Sequence, residues 1–412
     1  MNPIGNRFTR VIGSNGSQNG FSAASQQDLQ TRATVPPPTV DAAGGLRPKL
    51  LWSGVLVLVL GMTQAAWAQT GARDTAVEPI QHRAAGAFPR VGDFEVLRGD
   101  FHIHTFHSDG RQTSKQRVFE AWQYGYDVIA ITDHGNYRAY EEARPWADAL
   151  GLILLRGLET GVHQHEHLVA LGFADTYVPR DPHHWAETPG ADRAYYRDQL
   201  EQLTKAGAFV LYAHPHVGWR DPVKWAVGEG HLSGIEVKNT VVGSGWATVE
   251  SHGTWCYPFA FDWALEHDLA LFANSDIHAD RGEADQPVTL VLVSQRSTAG
   301  VMEAFRARRT VAWFNGMLWG REDLLTNLLR GLVSVEAIAD PDNASNWVRL
   351  RNQGPVPLAA RVSFADAAVA LAPYGEVLLA GTTGNTLTIG WTNVWVASNQ
   401  TIQVDHAVGA NR

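Results

Sequence analysis

The residues best suited to chemistry in this chain are histidines and carboxylates that recur at short, repeated spacings. His102 and His104 stand two apart in Asp100-Phe101-His102-Ile103-His104-Thr105. On an extended strand, positions i and i+2 share a face, so both imidazoles can reach one ion. Asp109 follows in Ser108-Asp109-Gly110, and Asp133-His134-Gly135 closes the next apolar run. Adjacent residues face opposite ways, so one of Asp133 and His134 is expected to be a ligand and the other its support. Glu159 ends a third run, and His163, His165 and His167 follow it at spacing two. His214-Pro215-His216 and Asp276-Ile277-His278 end two later runs. Imidazole and carboxylate without thiolate suit Zn²⁺, Mn²⁺ or Fe²⁺ rather than copper(I) or an iron–sulfur cluster. A lone histidine at a strand end is usually hydrogen-bonded structure, and His82, His183, His184, His231, His252, His267 and His406 are read that way. The repetition of H-x-H, D-H and D-x-H on several strands is what points to a multinuclear metal site.

Those groups need a scaffold that brings distant strand ends together. From about Phe94 to Arg330, short apolar runs alternate with longer amphipathic stretches. Phe101–Thr105, Asp127–Thr132, Leu152–Glu159, Leu168–Phe173, Ala208–Ala213, Gly234–Lys238, Leu269–Asn274 and Val288–Val293 read as buried strands. Ser114–Tyr124, Tyr140–Leu150, Asp192–Ala206, Phe259–His267 and Thr298–Arg308 read as helices between them. Repeated β-then-α units predict an α/β fold with a parallel sheet and enough strands to close into a barrel. Each chemical group then falls at the C-terminal end of its strand, where such barrels assemble active sites. After Leu332 the pattern changes to short strands, Val348–Leu350, Ala359–Phe364, Glu376–Ala380, Leu387–Trp391 and Thr401–Val404, separated by Asn, Gly and Pro. That reads as a small antiparallel β-sandwich domain.

Composition narrows the function classes. The chain has a formal net charge of −9 and no long Lys/Arg run, which argues against duplex nucleic acid as a partner. Cys256 is the single cysteine, so an intrachain disulfide and a thiolate zinc cluster are excluded. Residues 1–49 are rich in Gly, Ser, Gln, Asn and Pro and read as a disordered leader. Arg47 and Lys49 then precede an apolar run, Leu50–Met62, and Ala66-Trp67-Ala68 supplies a small-x-small cleavage pattern. Together these predict a secretory signal cut before Gln69 and an exported protein, periplasmic or secreted. The run falls short of the roughly 20 apolar residues a spanning helix needs, so no membrane anchor is expected after cleavage. Three segments result: leader and signal over 1–68, a hydrolase barrel over 69–332 and an accessory β domain over 333–412.

The motifs D-F-H-I-H-T-x-x-S-D-G, A-I-T-D-H-G, G-L-E, H-L-V-A-L-G, A-H-P-H and S-D-I-H stand in that order between about Phe94 and Ala279. In this the chain resembles the polymerase and histidinol phosphatase (PHP) superfamily. The resemblance implies a distorted (β/α)7 TIM-like barrel that binds two or three divalent metal ions and hydrolyses phosphate esters. By motif, His102, His104, Glu159 and Asp276 would hold one metal. Glu159 would bridge to a second, completed by His214 and by His167, with His163 and His165 as competitors in the same loop. Asp109, His134 and His278 would hold a third, with Asp109 standing where some relatives carry histidine. Water activated to hydroxide by the metals would attack phosphorus in line while the ions offset phosphoryl charge. His216 and Asp133 are candidates for orientation or proton transfer, and Arg281 for a bidentate phosphate clamp, with Lys238 a weaker second. Trp246, Trp255 and Tyr257 could stack on a substrate ring, and Trp391 and Trp395 could meet a polysaccharide or partner, although ordinary packing is the simpler reading of each. The function expected is hydrolysis of phosphate mono- or diesters of small molecules. An amidohydrolase-like enzyme and a non-catalytic metal-containing binding protein are the alternatives. Nothing in the sequence sets an oligomeric state.

Overall fold

The computed structural model describes residues 82–84, 86–162, 166–179, 191–240, 250–281, 286–339, 346–365 and 368–410. They belong to one compact unit, Glu78–Arg412. The leader and signal, His163, His165, His183, His184 and Trp246 lie outside the described residues.

The strands run in chain order as β1 (Glu95–Asp100), β2 (Val128–Ile131), β3 (Ile153–Val162), β4 (Glu166–Leu171), β5 (Phe209–Ala213), β6 (Gly234–Lys238), β7 (Glu250–Ser251), β8 (Thr254–Trp255), β9 (Ala270–Ala273), β10 (Val288–Val293), β11 (Thr310–Phe314), β12 (Met317–Trp319), β13 (Val333–Ala339), β14 (Asn346–Asn352), β15 (Leu358–Val362), β16 (Val369–Leu371), β17 (Glu376–Ala380), β18 (Thr386–Ala397) and β19 (Gln400–Ala410). The expected helices form at Ser114–Gln123, Arg138–Leu150, Ala191–Lys205, Pro258–Glu266 and Thr298–Arg306. Two more, Asp221–Gly228 and Glu322–Leu332, join them. The α/β class expected from the sequence is therefore the observed one.

The sheet is mixed rather than parallel throughout. β1–β2, β2–β3, β5–β6 and β6–β9 pair in parallel, whereas β3–β4 and β4–β5 are antiparallel. Only residues 163–165 separate β3 from β4. A parallel crossover needs a dozen or more residues, so this connection must be a hairpin. At the other edge β1 pairs antiparallel with β10, and β10 with β11. No backbone ladder closes the sheet among the described residues. Two threonines span β9 and its neighbours instead. Leu271 N–H donates to Thr310 Oγ1 (3.1 Å) and Ala273 N–H to Thr289 Oγ1 (3.0 Å).

The segment expected as strand Phe101–Thr105 lies just beyond β1. Its ladder stops at Asp100, whose carboxylate accepts from Ser275 N–H and Oγ–H. The H-x-H segment nevertheless stays extended, because Ile103 bridges Ile277, His104 N–H donates to Ile277 O (3.1 Å) and Thr132 N–H donates to Ile103 O (2.8 Å). Beneath it, Phe101 packs edge-on against Phe272 and Phe305 and is fully buried. Burial of such rings contributes about 1.5–3 kcal/mol each and anchors the ligand-bearing chain from below.

Beyond Leu332 the short strands expected do occur, but β18 and β19 are much longer and form one hairpin. β13 pairs in parallel with β19, so this region is not wholly antiparallel. β12 also pairs in parallel with β18, and the sheet runs on from one region into the other. The helix Glu322–Leu332 buries Leu324, Leu325, Leu328, Leu329 and Leu332, and these share one apolar cluster with Val335, Val348, Ile389, Trp391 and Val404. Trp391 is fully buried and Trp395 lies against His252 (ring centroids 4.2 Å), so both serve packing.

His406, on β19, is buried beside Trp391, and burial with nearby Arg330 pushes its pKa down to about 4. The unfolded chain takes up that proton near pH 6.5 and the folded one only near pH 4. Folding stability should therefore fall as pH drops through that window, by roughly 3 kcal/mol at most. Denaturant unfolding of wild type and His406→Gln between pH 7 and 4 checks this: the variant should lose that share of the pH slope.

Candidate metal centre

Glu159 is the hub of the site. Its carboxylate is 1% exposed and meets five imidazoles. Oε2 faces His102 Nε2 (3.2 Å), His104 Nε2 (3.1 Å) and His134 Nδ1 (3.1 Å). Oε1 faces His167 Nδ1 (2.7 Å) and His214 Nε2 (3.2 Å). Glu159 lies within β3 rather than at its end as expected; its N–H donates to Thr132 O and its O accepts from Gly135 N–H. That register sets His134 directly beside it, in an isolated parallel bridge.

Asp276 completes the innermost set. Its Oδ1 lies 3.3 Å from His102 Nε2 and 3.0 Å from His104 Nε2. His102 Nε2, His104 Nε2 and Asp276 Oδ1 are buried and make no hydrogen bond of good geometry despite this closeness. Donors bound about 2.0–2.1 Å from one tetrahedral ion sit roughly 3.3 Å apart, which is the spacing seen here. The donor set His102, His104, Glu159 and Asp276 thus fits a divalent cation. Two further sets converge within 4.8 Å, His134 with Glu159 and His167, and His104 with Asp109, His134 and His278. His214 reaches the second set through Glu159 Oε1. His278 Nε2 lies 3.2 Å from Asp109 Oδ1, and its ring stacks on His104 at 4.1 Å. The last set differs in access: Asp109 is 56% and His278 32% exposed, whereas His102 and His104 are at 0%. The site is closed at its floor and open at Asp109.

The charges agree with a cation-binding role. Burial opposes ionisation of Glu159, but His102, His167 and His134 outweigh it and hold its carboxyl well below the usual range. Asp276 is depressed likewise by His102 and His104 against its burial. Burial works against charging His102 and His104 too, yet Asp276 and Glu159 raise both above the ordinary imidazole value. Burial instead prevails at His167, which falls to about 4. Metal binding displaces imidazole protons, so carboxylates that stay ionised and buried favour it.

The connections explain how the chain delivers these groups. β4 runs antiparallel, so His167 enters from the start of its strand rather than from a C-terminal end. His134 and Asp133 do divide their labour: Asp133 accepts from Thr105 N–H (2.7 Å), Thr105 Oγ1 (2.7 Å) and Ser108 Oγ (2.8 Å), bracing the loop that carries Asp109. Gly110 is required there, because a Cβ would lie 2.5 Å from the His104 carbonyl. His214 and Asp276 have φ of 25° and 52°, conformations that cost an L residue free energy and cluster at functional sites.

Two expectations change. Arg281 is not a phosphate clamp: its guanidinium is wholly buried, paired with Asp100 and stacked on the Tyr126 ring at 5.0 Å. Position next to the D-x-H motif suggested an outward side chain, but the buried Asp100 needs a partner. Tyr257, at 0% exposed, cannot stack on a substrate, whereas Trp255 is 40% exposed. Lys238 Nζ donates to Trp255 O (2.7 Å). Sequence reasoning also missed Glu236 and Arg117. Glu236 Oε1 contacts His102 Nδ1 (3.0 Å) and Glu236 is 0% exposed. Arg117, from the helix Ser114–Gln123, donates to the carbonyls of His104, Ile277 and Ala279. No spacing rule links either residue to the histidines.

Residues 100–237 match the family model of the PHP domain, a stretch that holds every donor above except Asp276 and His278. That stretch of the chain is a PHP domain. The PHP domain also contains Glu236, the carboxylate behind His102. A crystal structure of a two-domain protein from Bacteroides vulgatus, containing a predicted PHP-like metal-dependent phosphoesterase, superposes with a TM-score of 0.66. It is 25% identical and covers 80% of this chain and 99% of that one. A phosphoribosyl 1,2-cyclic phosphate 1,2-diphosphodiesterase from Eggerthella lenta is 31% identical over 78 residues, 18% of this chain. A 5'-3' exoribonuclease from Haemophilus influenzae is 31% identical over 81 residues, 19% of this chain. Each of those two matches spans 30% of the relative's own length.

Replacing Arg281 with Ala leaves Asp100 buried without its cation, and breaking such a pair costs about 3–5 kcal/mol. Thermal unfolding should show that loss directly. A large rise in KM on an undiminished fold would instead restore the phosphate-clamp reading.

Proposed function

We propose that this PHP protein is an exported, metal-dependent phosphoesterase that hydrolyses phosphate mono- or diesters of small molecules. The observation that carries the reading is the buried donor set His102, His104, Glu159 and Asp276 at ligand spacing. In this reading they would hold one ion, and Glu159 with His134, His167 and His214 would hold another. Asp109, His278 and His104 serve a third at the open edge, where substrate enters. Bound divalent cations supply Lewis acidity there, making water a competent nucleophile near neutral pH and offsetting charge on phosphoryl oxygens.

The remaining groups act around that centre. His216 Nδ1 lies 2.6 Å from the His214 carbonyl, which fixes the proton on Nδ1 and leaves Nε2 as the acceptor. Its ring is partly exposed, so it is the group suited to carry a proton to or from substrate. Asp133 keeps the loop of Asp109 in place rather than meeting substrate. The two curated relatives are named for phosphodiester substrates, which favours a diester. The net charge of −9 favours a small one over long nucleic acid. The threonine contacts between β9 and its neighbours support a distorted barrel. The two-domain Bacteroides protein supports an accessory role for residues 333–412. Export rests on the apolar run Leu50–Met62 and the Ala66-Trp67-Ala68 pattern.

The double variant His102→Ala/His104→Ala tests the whole reading. It should lose the inner metal by elemental analysis and at least 10³-fold in turnover of bis-p-nitrophenyl phosphate, with far-UV circular dichroism unchanged. Wild-type turnover by the variant would exclude a phosphoesterase of this mechanism.

A further inference from the structure

Glu236 makes more contacts than any scaffold role on β6 calls for. It is 0% exposed, and each oxygen meets two partners. Oε1 faces His102 Nδ1 (3.0 Å) and Asn274 Nδ2 (2.9 Å). Oε2 faces His214 N–H (2.8 Å) and Asn239 Nδ2 (2.8 Å). These partners come from the segments that follow β1, β5, β6 and β9, so one carboxylate ties four strand ends together.

The directions of these bonds are determined. His214 N–H can only donate. Asn274 cannot be turned over, because its Oδ1 already accepts from Phe101 N–H (3.0 Å), which leaves its Nδ2 as the donor to Glu236. A carboxylate that collects such donors is an acceptor, so His102 Nδ1 must carry a proton toward it. In the neutral ring that a metal requires, Nε2 would then be the bare nitrogen, and it faces Glu159 and Asp276. Meanwhile the bond to His214 N–H holds a residue whose φ is 25°, a conformation that persists only where its surroundings impose it.

We propose that Glu236 is a positioning residue of the metal centre, which sets the His102 tautomer and pins the strained backbone at His214. The proposal rests on the metal-binding reading above. Gln at this position keeps the length but turns an N–H₂ toward one of two donor pairs, so it cannot restore the pattern in either orientation. Outer carboxylates of this kind typically change metal affinity 10–100-fold when removed.

The test titrates Co²⁺ into metal-stripped wild type, Glu236→Gln and Glu236→Asp, following visible absorption and chelator competition. The expected result is a 10–100-fold weaker tightest site in Glu236→Gln, an altered Co²⁺ spectrum and partial recovery in Glu236→Asp. Equal affinity and an identical spectrum in Glu236→Gln would overturn the proposal and leave the metal reading standing. Wild type that binds no Co²⁺ would overturn both. A second measurement needs no variant: ¹⁵N-histidine spectra of zinc-loaded wild type should show the His102 proton on Nδ1. A proton on Nε2 would refute the assignment.

Discussion

Five imidazoles around one buried carboxylate are the constraint on which the rest of this structure depends. Burying ionised groups is costly unless each is met by opposite charge or a hydrogen bond. Glu159 and Asp276 are both at or near zero exposure, and among the described residues the groups that answer them are histidines. That arrangement is poor as a way to stabilise a fold, since the same volume filled with apolar side chains would do as well. It makes sense as a cation site whose donors are assembled in advance.

Holding such donors requires a frame that is itself heavily polar. Arg117 gathers the carbonyls of His104, Ile277 and Ala279, which brings the H-x-H and D-x-H segments side by side. Arg281 and Ser275 satisfy Asp100 directly below His102. Asp133 braces the loop from Thr105 to Asp109. Each of these groups is spent on backbone, on a hydroxyl or on another buried charge. None is left for substrate, and that is why the open edge at Asp109 and His278 is where chemistry can be approached.

The later residues share this frame rather than hanging from it. β18 extends the sheet through β12, and the helix Glu322–Leu332 packs its leucines into the same apolar cluster as Trp391 and Val404. Trp319 lies between, fully buried against Phe261 and Phe314. The floor under the helix Pro258–Glu266 is thereby linked to the last hairpin through continuous packing.

The sequence by itself determined the α/β class, most helices and strands to within a few residues, and which histidines and carboxylates the fold brings together. It could do so because strand periodicity and ligand chemistry are both local: H-x-H places two imidazoles on one face whatever surrounds them. Only tertiary structure decided the antiparallel entry of β4, the parallel pairing of β13 with β19 and the inward turn of Arg281. The same holds for Glu236, which sits 134 positions from His102 yet bonds its ring nitrogen. Such pairings depend on which strand ends meet and which buried charge lacks a partner, and no spacing along the chain encodes that.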